Sequence, residues 1–414
     1  MPDLFPFPGL RYQLGALQTD LGAVTAPPYD VIDEEGRARL EAAHPQNAVR
    51  LILPRDAEPG DRYRRAREAF QQWQADGVLA ADAPHFYIYR MAFTDDAGAP
   101  RQMTGVVGAL ELSPLGAGVV LPHERTMAKA KSDRLDLLRS VRANLDPVWG
   151  LSLSSGLSEL FEPVVAAGGA AASCVDEDGA EHCLFPVEDA DLVQSIRDTV
   201  AAAPLVIADG HHRYETSLAY EEEQRSAGLD DPGARRIMAL VVELSEEQLM
   251  VRPIHRLLSG VGPDFRSRLS DVCQVIPLGP NSPAGVRQLT VEMEQTGSLG
   301  LVHSSGLALL TPRPAVIDPD LAQLPEPLRV VDAARLDAIL ARVGAPAEID
   351  YRNDAATVAA LVAKGAIDVA VLLRPVSVAQ IDTVAEAGLR MPQKTTFFQP
   401  KPLTGLVFRS LDLG

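Results

Sequence analysis

The sequence has little of what would place a protein outside the cell or in a membrane. Its 414 residues include three cysteines, an odd and low number that implies no disulfide framework and fits a reducing compartment. The longest apolar stretch, residues 164–175, is interrupted by Gly168 and Gly169 and is shorter than the ~20 residues of a membrane helix. The opening residues, MPDLFPFPGLRYQ, lack the basic and apolar segments of a secretory signal. We therefore expect a cytoplasmic protein without a membrane-spanning segment.

Basic residues are also scarce. The sequence has 38 Lys and Arg against 56 Asp and Glu, which gives a formal net charge of −18. A general nucleic-acid binder needs a basic surface, so we do not expect one here, although a locally basic pocket for a phosphorylated ligand remains compatible with this charge. No Walker A sequence, Rossmann glycine fingerprint or protein-kinase signature is present. Any nucleotide would have to be bound by a different kind of loop. The sequence gives no indication of the oligomeric state.

The pattern of apolar residues predicts a mixed α and β fold. It predicts helices over residues 61–76, 157–167 and 190–202, and strands over residues 86–93, 103–112, 205–208 and 405–408. Ser132 is predicted to cap a further helix. We expect three consecutive regions: a mixed α/β region over residues 1–115, a core over residues 116–260, and an α/β region over residues 261–414.

The strongest local signal is the run Asp209-Gly210-His211-His212-Arg213-Tyr214-Glu215-Thr216, which follows an apolar strand and opens a polar-faced helix. The free N–H groups of a helix start attract anions, and the planar guanidinium of Arg213 suits phosphate. Gly210 would let a ligand approach the backbone, and a histidine could donate hydrogen bonds or shuttle protons. Adjacent histidines point to different sides, so at most one faces a ligand. The run predicts a phosphate-binding turn, the alternative being a capped helix with exposed polar residues.

The second signal is a basic segment in an otherwise acidic chain. It begins with the residues His123, Glu124, Arg125 and Thr126, followed by Lys129, Lys131, Asp133 and Arg134. Four basic residues against one acid between positions 125 and 134 predict a local positive potential. Glu124 beside these cations could be a positioned carboxylate base. The alternative is a solvated loop that precedes a helix.

Two further segments carry weaker signals. Lys394, Thr395 and Thr396, with Lys401 nearby, combine cations and hydroxyls with flanking aromatic residues and could close a site, or could form an edge strand with a solvated lysine. Tyr29 and Asp30, which follow two prolines, carry a signal for a functional site that is similarly weak. The hairpin residues Cys174, His182 and Cys183 lack the spacing of a zinc site, so we expect no metal there.

Taken in order, these segments resemble the domain-of-unknown-function 1015 family. The resemblance lies in residues 27–32 (PPYDVI), 123–126 (HERT), 133–135 (DRL), 209–216 (DGHHRYET) and 391–401 (MPQKTTFFQPK), and so extends over nearly the whole chain. The family name implies no function.

A more distant resemblance implies one. The Asp-Gly-His-His-Arg turn after a strand, with a His-Glu pair upstream, is similar to the free-serine kinases of the ParB/sulfiredoxin-like superfamily. This resemblance implies a ParB/sulfiredoxin-like core over residues 116–260, with mixed α/β elaborations at both ends. It implies that residues 209–213 bind the phosphates of ATP or ADP, that Mg²⁺ bridges those phosphates with Asp209 as a ligand through water, and that Glu124 is the base. The accompanying catalytic candidates are His123 and His212, and the candidates for holding substrate charge are Asp30, Arg125, Thr126, Lys129, Lys131 and Lys394.

The leading hypothesis is therefore a nucleotide-dependent phosphotransferase that acts on the hydroxyl of a small polar metabolite, with free serine as the acceptor that the resemblance suggests. Two alternatives stay open. A regulatory nucleotide-binding module would keep the turn at residues 209–213 but would not need Glu124 as a base. A nucleotide or phosphoester hydrolase would use His211 or His212 as acid and base.

Overall fold

The computed structural model describes residues 1–17, 19–95, 98–124 and 130–413, with residues 130 and 131 described by their backbone alone. The mixed α and β prediction is confirmed, since the described residues form fifteen α-helices and a large mixed sheet. No helix in the described part of the chain is both long and apolar enough to cross a membrane.

Helices and strands are interspersed along the chain. The helices are α1 (Leu14–Leu17), α2 (Glu34–Ala43), α3 (Val49–Ile52), α4 (Arg62–Ala75), α5 (Ala130–Val141), α6 (Leu157–Ala167), α7 (Ala190–Ala201), α8 (His211–Ser226), α9 (Phe265–Val272), α10 (Pro283–Thr296), α11 (Pro314–Leu321), α12 (Glu326–Arg329), α13 (Asp332–Val343), α14 (Ala355–Ala363) and α15 (Val378–Glu386). The strands are β1 (Leu4–Phe5), β2 (Phe7–Tyr12), β3 (Leu79–Thr94), β4 (Pro100–Glu111), β5 (Val120–Pro122), β6 (Ala143–Asn144), β7 (Val148–Ser152), β8 (Ala172–Val175), β9 (Glu181–Val187), β10 (Leu205–Asp209), β11 (Arg236–Glu243), β12 (Met250–Pro253), β13 (His255–Ser259), β14 (Cys273–Gly279), β15 (Leu299–His303), β16 (Gly306–Pro312), β17 (Glu348–Arg352), β18 (Val369–Leu372), β19 (Thr396–Gln399) and β20 (Phe408–Ser410).

These elements form two compact units, each built from non-consecutive stretches. The first unit comprises Met1–Pro122, Thr126–Leu249 and Pro400–Gly414, and the second comprises His123–Arg125 and Met250–Gln399. Each unit has its own sheet and its own buried core.

The first unit is built on a twelve-stranded mixed sheet. Its main path runs β5-β10-β7-β11-β4-β3-β2-β20-β6, with β1 paired to β4, and with β9 and then β8 added at β3. The pairs β10–β5 and β11–β7 are parallel, and the pair β11–β4 is antiparallel with Val241 opposite Val106. Strand β11 is almost wholly buried because its run of branched side chains is covered on both faces. Helices α6 and α7 contribute Phe161 and Ile196 to this core.

The second unit is built on a six-stranded antiparallel sheet in the order β14-β16-β15-β18-β13-β17. Helices α10 and α14 pack on this sheet through Leu289 and Val358, which meet Val302 and Leu372 of the strands. A separate two-stranded ribbon pairs β12 with β19.

The structure corrects two of the local predictions. Helix α5 begins at Ala130, so Ser132 lies inside the first turn and does not cap it. The last strand is Phe408–Ser410 rather than residues 405–408, and it pairs with β2 and β6. Gly405 cannot continue an extended strand because its φ is +103°.

Candidate functional site

The predicted phosphate-binding turn lies in the first unit, where β10 leads directly into α8. The apolar residues of β10 are buried, and its last residue, Asp209, is partly exposed. Gly210 follows with a φ of +87° and forms the N-cap of α8, which continues for 16 residues. The guanidinium of Arg213 folds back on this glycine, so that a Cβ on Gly210 would lie 2.8 Å from Nε of Arg213. Gly210 is therefore required by its left-handed φ and by the side chain that packs on it.

Two cations hold the carboxylate of Asp209. Lys401 Nζ donates to Oδ1 at 2.7 Å, and Arg213 Nη2 donates to Oδ2. Burial by itself would raise the pKa of Asp209, but the charges of Lys401 and Arg213, with a smaller contribution from His211, hold that pKa well below its ordinary value. The same guanidinium also donates to the carbonyl of Pro147. Asp209 is thus an ionised group whose two oxygens are both engaged.

A second buried carboxyl group, Asp146, belongs to the same charge cluster. Its Oδ1 accepts a hydrogen bond from the hydroxyl of Thr404, and its exposed fraction is 8%. Burial raises its pKa to about 6, because desolvation and the carboxylates of Asp30 and Asp209 outweigh the neighbouring guanidinium groups of Arg213 and Arg134. Carboxyl groups whose pKa values are pushed in opposite directions within one cluster are typical of functional sites.

A cavity of about 60 Å³ lies beside this cluster. Polar residues and apolar side chains line it together, namely Tyr29, Arg134, Asp146, Arg213, Thr216, Ser217, Leu137, Leu138 and Ile237, with others. The guanidinium of Arg134 stacks 4.3 Å from the centre of the Tyr29 ring. Among the described residues, Thr216 Oγ1 and Arg213 Nε are buried without a hydrogen-bond partner. Buried polar atoms of this kind point to a bound water or ligand in the cavity.

Glu124 lies in the second unit, where backbone amides surround its carboxylate. Oε2 accepts a hydrogen bond from the N–H of Lys394 at 3.1 Å, and Oε1 accepts from the N–H of Thr395 and of Thr396 at 3.1 and 2.8 Å. The hydroxyl of Thr396 donates to Oε1 at 2.8 Å. Lys394 has a φ of +55°, which turns successive N–H groups towards one anion. We call residues 394–396 the carboxylate nest.

His123 supports this arrangement from the buried side. Its exposed fraction is 1%, and its Nε2 lies 2.7 Å from Thr396 Oγ1. The single hydroxyl hydrogen of Thr396 goes to Glu124, which can only accept when ionised, so His123 Nε2 is the donor in the remaining hydrogen bond. The ring of Phe398 packs edge-on against the imidazole. His123, Thr396 and Glu124 form one hydrogen-bonded chain with a defined direction.

The structure therefore groups the predicted residues within each unit. Asp209, Gly210, His211, His212 and Arg213 form the turn of the first unit, and Asp30 contributes to the electrostatics of its charge cluster. In the second unit, His123 contacts the hydroxyl of Thr396, and Glu124 accepts from the backbone N–H of Lys394. Arg125, Thr126 and Lys129 lie outside the described residues, as does the side chain of Lys131.

A metal ion finds little support in this geometry. The described residues contain no group of three or more His, Cys, Asp or Glu side chains that could hold one. Asp209 does not fit a direct Mg²⁺ ligand, because each of its oxygens already binds a cationic side chain, and ligation through water stays a prediction. Its position indicates instead that it orients Arg213 and Lys401.

Sequence reasoning did not select Asp146 or Thr216. The available signal for Asp146 was a polar residue between two apolar elements, directly before Pro147. Thr216 is the last residue of the motif DGHHRYET, but its residue type predicts no role, since a threonine in the second turn of a polar-faced helix is ordinary. Both residues matter here because they are buried beside a cavity, and burial depends on contacts with residues far away in the chain.

Comparison with known proteins begins with family membership. The description "Protein of unknown function (DUF1015)" matches residues 4–338. The chain belongs to this family. This match confirms the resemblance to the DUF1015 family that the motifs indicate. No curated protein matches its sequence.

Several solved structures show weak similarity to this DUF1015 chain. A variant of a free serine kinase in complex with ADP has a TM-score of 0.39 and 14% identity, and the match covers 71% of this chain and 90% of that one. A free serine kinase in complex with AMP has a TM-score of 0.38, with the same identity and coverage. A conserved hypothetical protein from Pyrococcus furiosus has a TM-score of 0.37 and 14% identity, with 71% and 94% of the two chains covered.

Proposed function

We propose that this DUF1015 protein is a nucleotide-dependent phosphotransferase that phosphorylates the hydroxyl of a small polar metabolite. The observation that carries the proposal is the turn at Gly210, where a buried strand enters a 16-residue helix beside a buried cluster of charges. The first amides of a long helix have no intrahelical partners and lie at its positive end, which suits the phosphates of a nucleotide. The choice of ATP or ADP follows the resemblance of residues 209–213 to the free-serine kinases.

The charged residues around the turn have complementary roles in this proposal. Arg213 and Lys401 supply positive charge beside the helix start, and Asp209 fixes both of them in place. Preorganised charge of this kind lowers the barrier to phosphoryl transfer without any covalent role for the protein. Asp209 acts here as a positioning residue, and no step is assigned to a metal ion.

Glu124 is the proposed general base. The carboxylate nest holds it by four hydrogen bonds, and a carboxylate fixed in this way can receive a proton in a defined direction. Glu124 would take the proton of the acceptor hydroxyl as the oxygen bonds to the transferred phosphorus, and the shortened nucleotide would leave. His123 would hold the hydroxyl of Thr396, and through it the carboxylate of Glu124, in this position. Free serine is the acceptor that the motif resemblance suggests.

Nucleotide binding is tested by placing a negative charge at the helix start. His212→Glu favours the helix because its charge lies at the positive end of the dipole, yet it opposes bound phosphates. We expect ADP affinity, measured by titration calorimetry on the full chain, to fall by at least about tenfold in His212→Glu. His212→Asn, the uncharged control, should lower ADP affinity less than His212→Glu does. Equal ADP affinity in wild type and His212→Glu would exclude the turn as the phosphate site.

Catalysis is tested by product detection. The full chain is incubated with ATP or ADP and a panel of hydroxyl metabolites that includes serine, and phosphorylated products are identified by mass spectrometry. Glu124→Gln should lower turnover about 100- to 10,000-fold and leave ADP affinity unchanged. Glu243→Gln is the matched control, since Glu243 also accepts two backbone N–H groups. Equal turnover in Glu124→Gln and wild type would show that Glu124 is not the base.

One observation favours the regulatory alternative. Four hydrogen bonds to the nest suffice to explain Glu124 as a structural anchor, without any proton transfer. In that case the turn at Gly210 would bind a nucleotide that controls a partner interaction. Tight ADP binding without any phosphorylated acceptor would support this alternative, and phosphate release without an acceptor would instead indicate a hydrolase.

A further inference from the structure

A second cavity, with a volume of about 680 Å³, lies within the second unit. It is formed where the ends of α10, α11 and α12 approach the starts of α13 and α15, and arginine side chains from three different segments line it. Its volume lies within the range of small-molecule sites. Neither the predicted turn nor Glu124 belongs to its lining.

Two of the arginines share one buried carboxylate at this cavity. Asp332, with an exposed fraction of 6%, accepts from the backbone N–H, Nε and Nη2 of Arg374 at 2.9, 3.0 and 2.6 Å. Arg335 Nη1 donates to the same carboxylate at 3.2 Å and to the carbonyl of Gly297 at 2.9 Å. Arg374 already satisfies and neutralises Asp332. The second guanidinium therefore leaves one positive charge in excess.

The rest of the lining adds to this positive potential. Arg329 donates to the carbonyls of Leu324 and Ala322 at 2.8 and 3.2 Å, which fixes its guanidinium at the cavity wall. The lining itself holds three guanidinium groups and one carboxylate, that of Asp318, while Asp332 and Glu294 act on Arg374 from outside the lining. In a chain of formal net charge −18, a cavity lining with an excess of positive charge is not expected by chance.

Two lining residues carry donor groups besides the atoms that contact Asp332 and Ser377. A Cβ on Gly297 would lie 3.4 Å from Nη1 of Arg374, which places the edge of that guanidinium not used by Asp332 next to a lining residue. Gln380, in the first turn of α15, accepts the N–H of Ser377 with its Oε1, so its amide nitrogen is the end left to donate. Guanidinium and amide groups that line one concave site are the donor types that suit the oxygens of a phosphate group.

We propose that this arginine-lined cavity binds a small phosphorylated metabolite, as a site separate from the one assigned to the phosphotransferase reaction. The proposal rests on the cavity, the shared carboxylate and the excess guanidinium, and it holds whether or not the phosphotransferase function is correct. The ligand is recognised by its phosphate oxygens, and the remaining volume accommodates an organic portion of modest size.

Pyrophosphate is the probe for this site, titrated calorimetrically into the full chain. Arg329→Gln removes one guanidinium, and Ala322→Glu adds a negative charge at an exposed lining position, while both leave the buried Asp332 pairs intact. We expect each change to weaken pyrophosphate binding by about tenfold or more. Arg313→Gln and Ala363→Glu are the matched controls. Arg313 likewise donates to a backbone carbonyl, Ala363 is an exposed alanine at the end of α14, and neither lines the cavity.

The turn at Gly210 could also bind pyrophosphate, and His212→Glu separates the two sites. Binding that survives in His212→Glu and weakens in Arg329→Gln and Ala322→Glu supports the proposal. Binding lost only in His212→Glu overturns it, as does the absence of binding to wild type at millimolar probe. A loss of affinity in the controls equal to that in the two cavity variants also overturns it.

Discussion

Asp146 illustrates at the scale of one residue how burial changes the chemistry of a carboxyl group. Its pKa of about 6 lies above the ordinary value of 3.8, because desolvation outweighs the nearby guanidinium groups. The native state therefore binds a proton in a pH range where the unfolded chain has already lost it. This proton stabilises the fold fully below about pH 4, and its contribution is lost as the pH rises through about 6.

We predict that Asp146→Asn removes this pH dependence. The free energy of unfolding of wild type, minus that of the variant, should fall by about 3 kcal/mol between about pH 4 and pH 7 and then stay constant. The measurement is urea unfolding across this range. Asp230→Asn, at a side chain with an exposed fraction of 79%, is the control and should show no such trend. A constant difference for Asp146→Asn would contradict the raised pKa.

A second residue-scale prediction concerns the hydroxyl that joins His123 to Glu124. Thr396→Val removes two hydrogen bonds and leaves a buried imidazole and a carboxylate without that partner, so we expect a loss of about 2 kcal/mol or more in stability. Thr395→Val is matched in size and removes one hydrogen bond, to the carbonyl of Pro392, and should cost about 1 kcal/mol. Chemical denaturation of both variants provides the comparison. Equal losses of stability would show that the two hydrogen bonds of the Thr396 hydroxyl contribute no more than the single hydrogen bond of Thr395.

The individual residues of the candidate sites were predictable where residue type alone carries chemistry. Asp209, Arg213 and Glu124 were selected because carboxylates and guanidinium groups were clustered in short segments. Asp332 and Arg374 were not, because they lie 42 positions apart and only the folded backbone brings them together. A sequence does not show which of its many carboxylates will be buried.

At the scale of an element, α8 begins and ends with a glycine of positive φ. Gly210 has a φ of +87° and Gly228 has a φ of +72°, yet only Gly210 has a neighbouring side chain at its Cβ position. The two glycines thus separate the effect of backbone strain from that of the packed Arg213. They provide an internal comparison on one helix.

We predict that Gly228→Ala costs about 1 kcal/mol, the ordinary penalty for a left-handed alanine. Gly210→Ala should cost at least about twice as much, because its Cβ displaces the guanidinium that is paired with Asp209. Thermal unfolding with far-ultraviolet circular dichroism measures both. If the two variants lose the same stability, Arg213 moves aside freely and its contact with the glycine is unimportant.

Backbone N–H groups bind the protein's own carboxylates at several places, and Glu243 and Glu124 are two examples. Glu243 accepts from the N–H groups of Gly156 and Ser158 at the start of α6, at 3.2 and 2.8 Å. Glu124 does the same at the carboxylate nest. The helices themselves were largely predictable, as for residues 61–76 against the observed Arg62–Ala75. The carboxylate that binds each group of backbone N–H groups was not predictable, because it comes from a distant part of the chain.

At the scale of the whole molecule, the acidic composition predicts a salt effect on stability. With a formal net charge of −18 at neutral pH, the excess carboxylates repel one another, and salt screens this repulsion. We expect the Tm to rise by a few degrees between low and physiological ionic strength at neutral pH. Close to pH 4.9, the sequence pI, the same addition of salt should have little effect. A Tm that falls with salt at neutral pH would show that attractive ion pairs dominate.

The class of the whole fold was predictable, because alternating helical and strand patterns identify a mixed α and β protein. The assembly of the two units from non-consecutive stretches was not evident from composition. The boundaries of these units include residues 250 and 400. Such boundaries are set by long-range pairing, for example of β20 with β2, which no local pattern reports.

That pairing of β20 with β2 imposes an order on biosynthesis. The ribosome must translate residues 250–399 before Lys401 and β20 can leave the exit tunnel, which at typical elongation rates takes roughly 8 to 30 seconds. During that interval the edge of β2 that pairs with β20 is exposed in the nascent chain, and the ion pair between Asp209 and Lys401 has not formed. Chaperones that shield exposed strand edges therefore have a defined window in which to act on it.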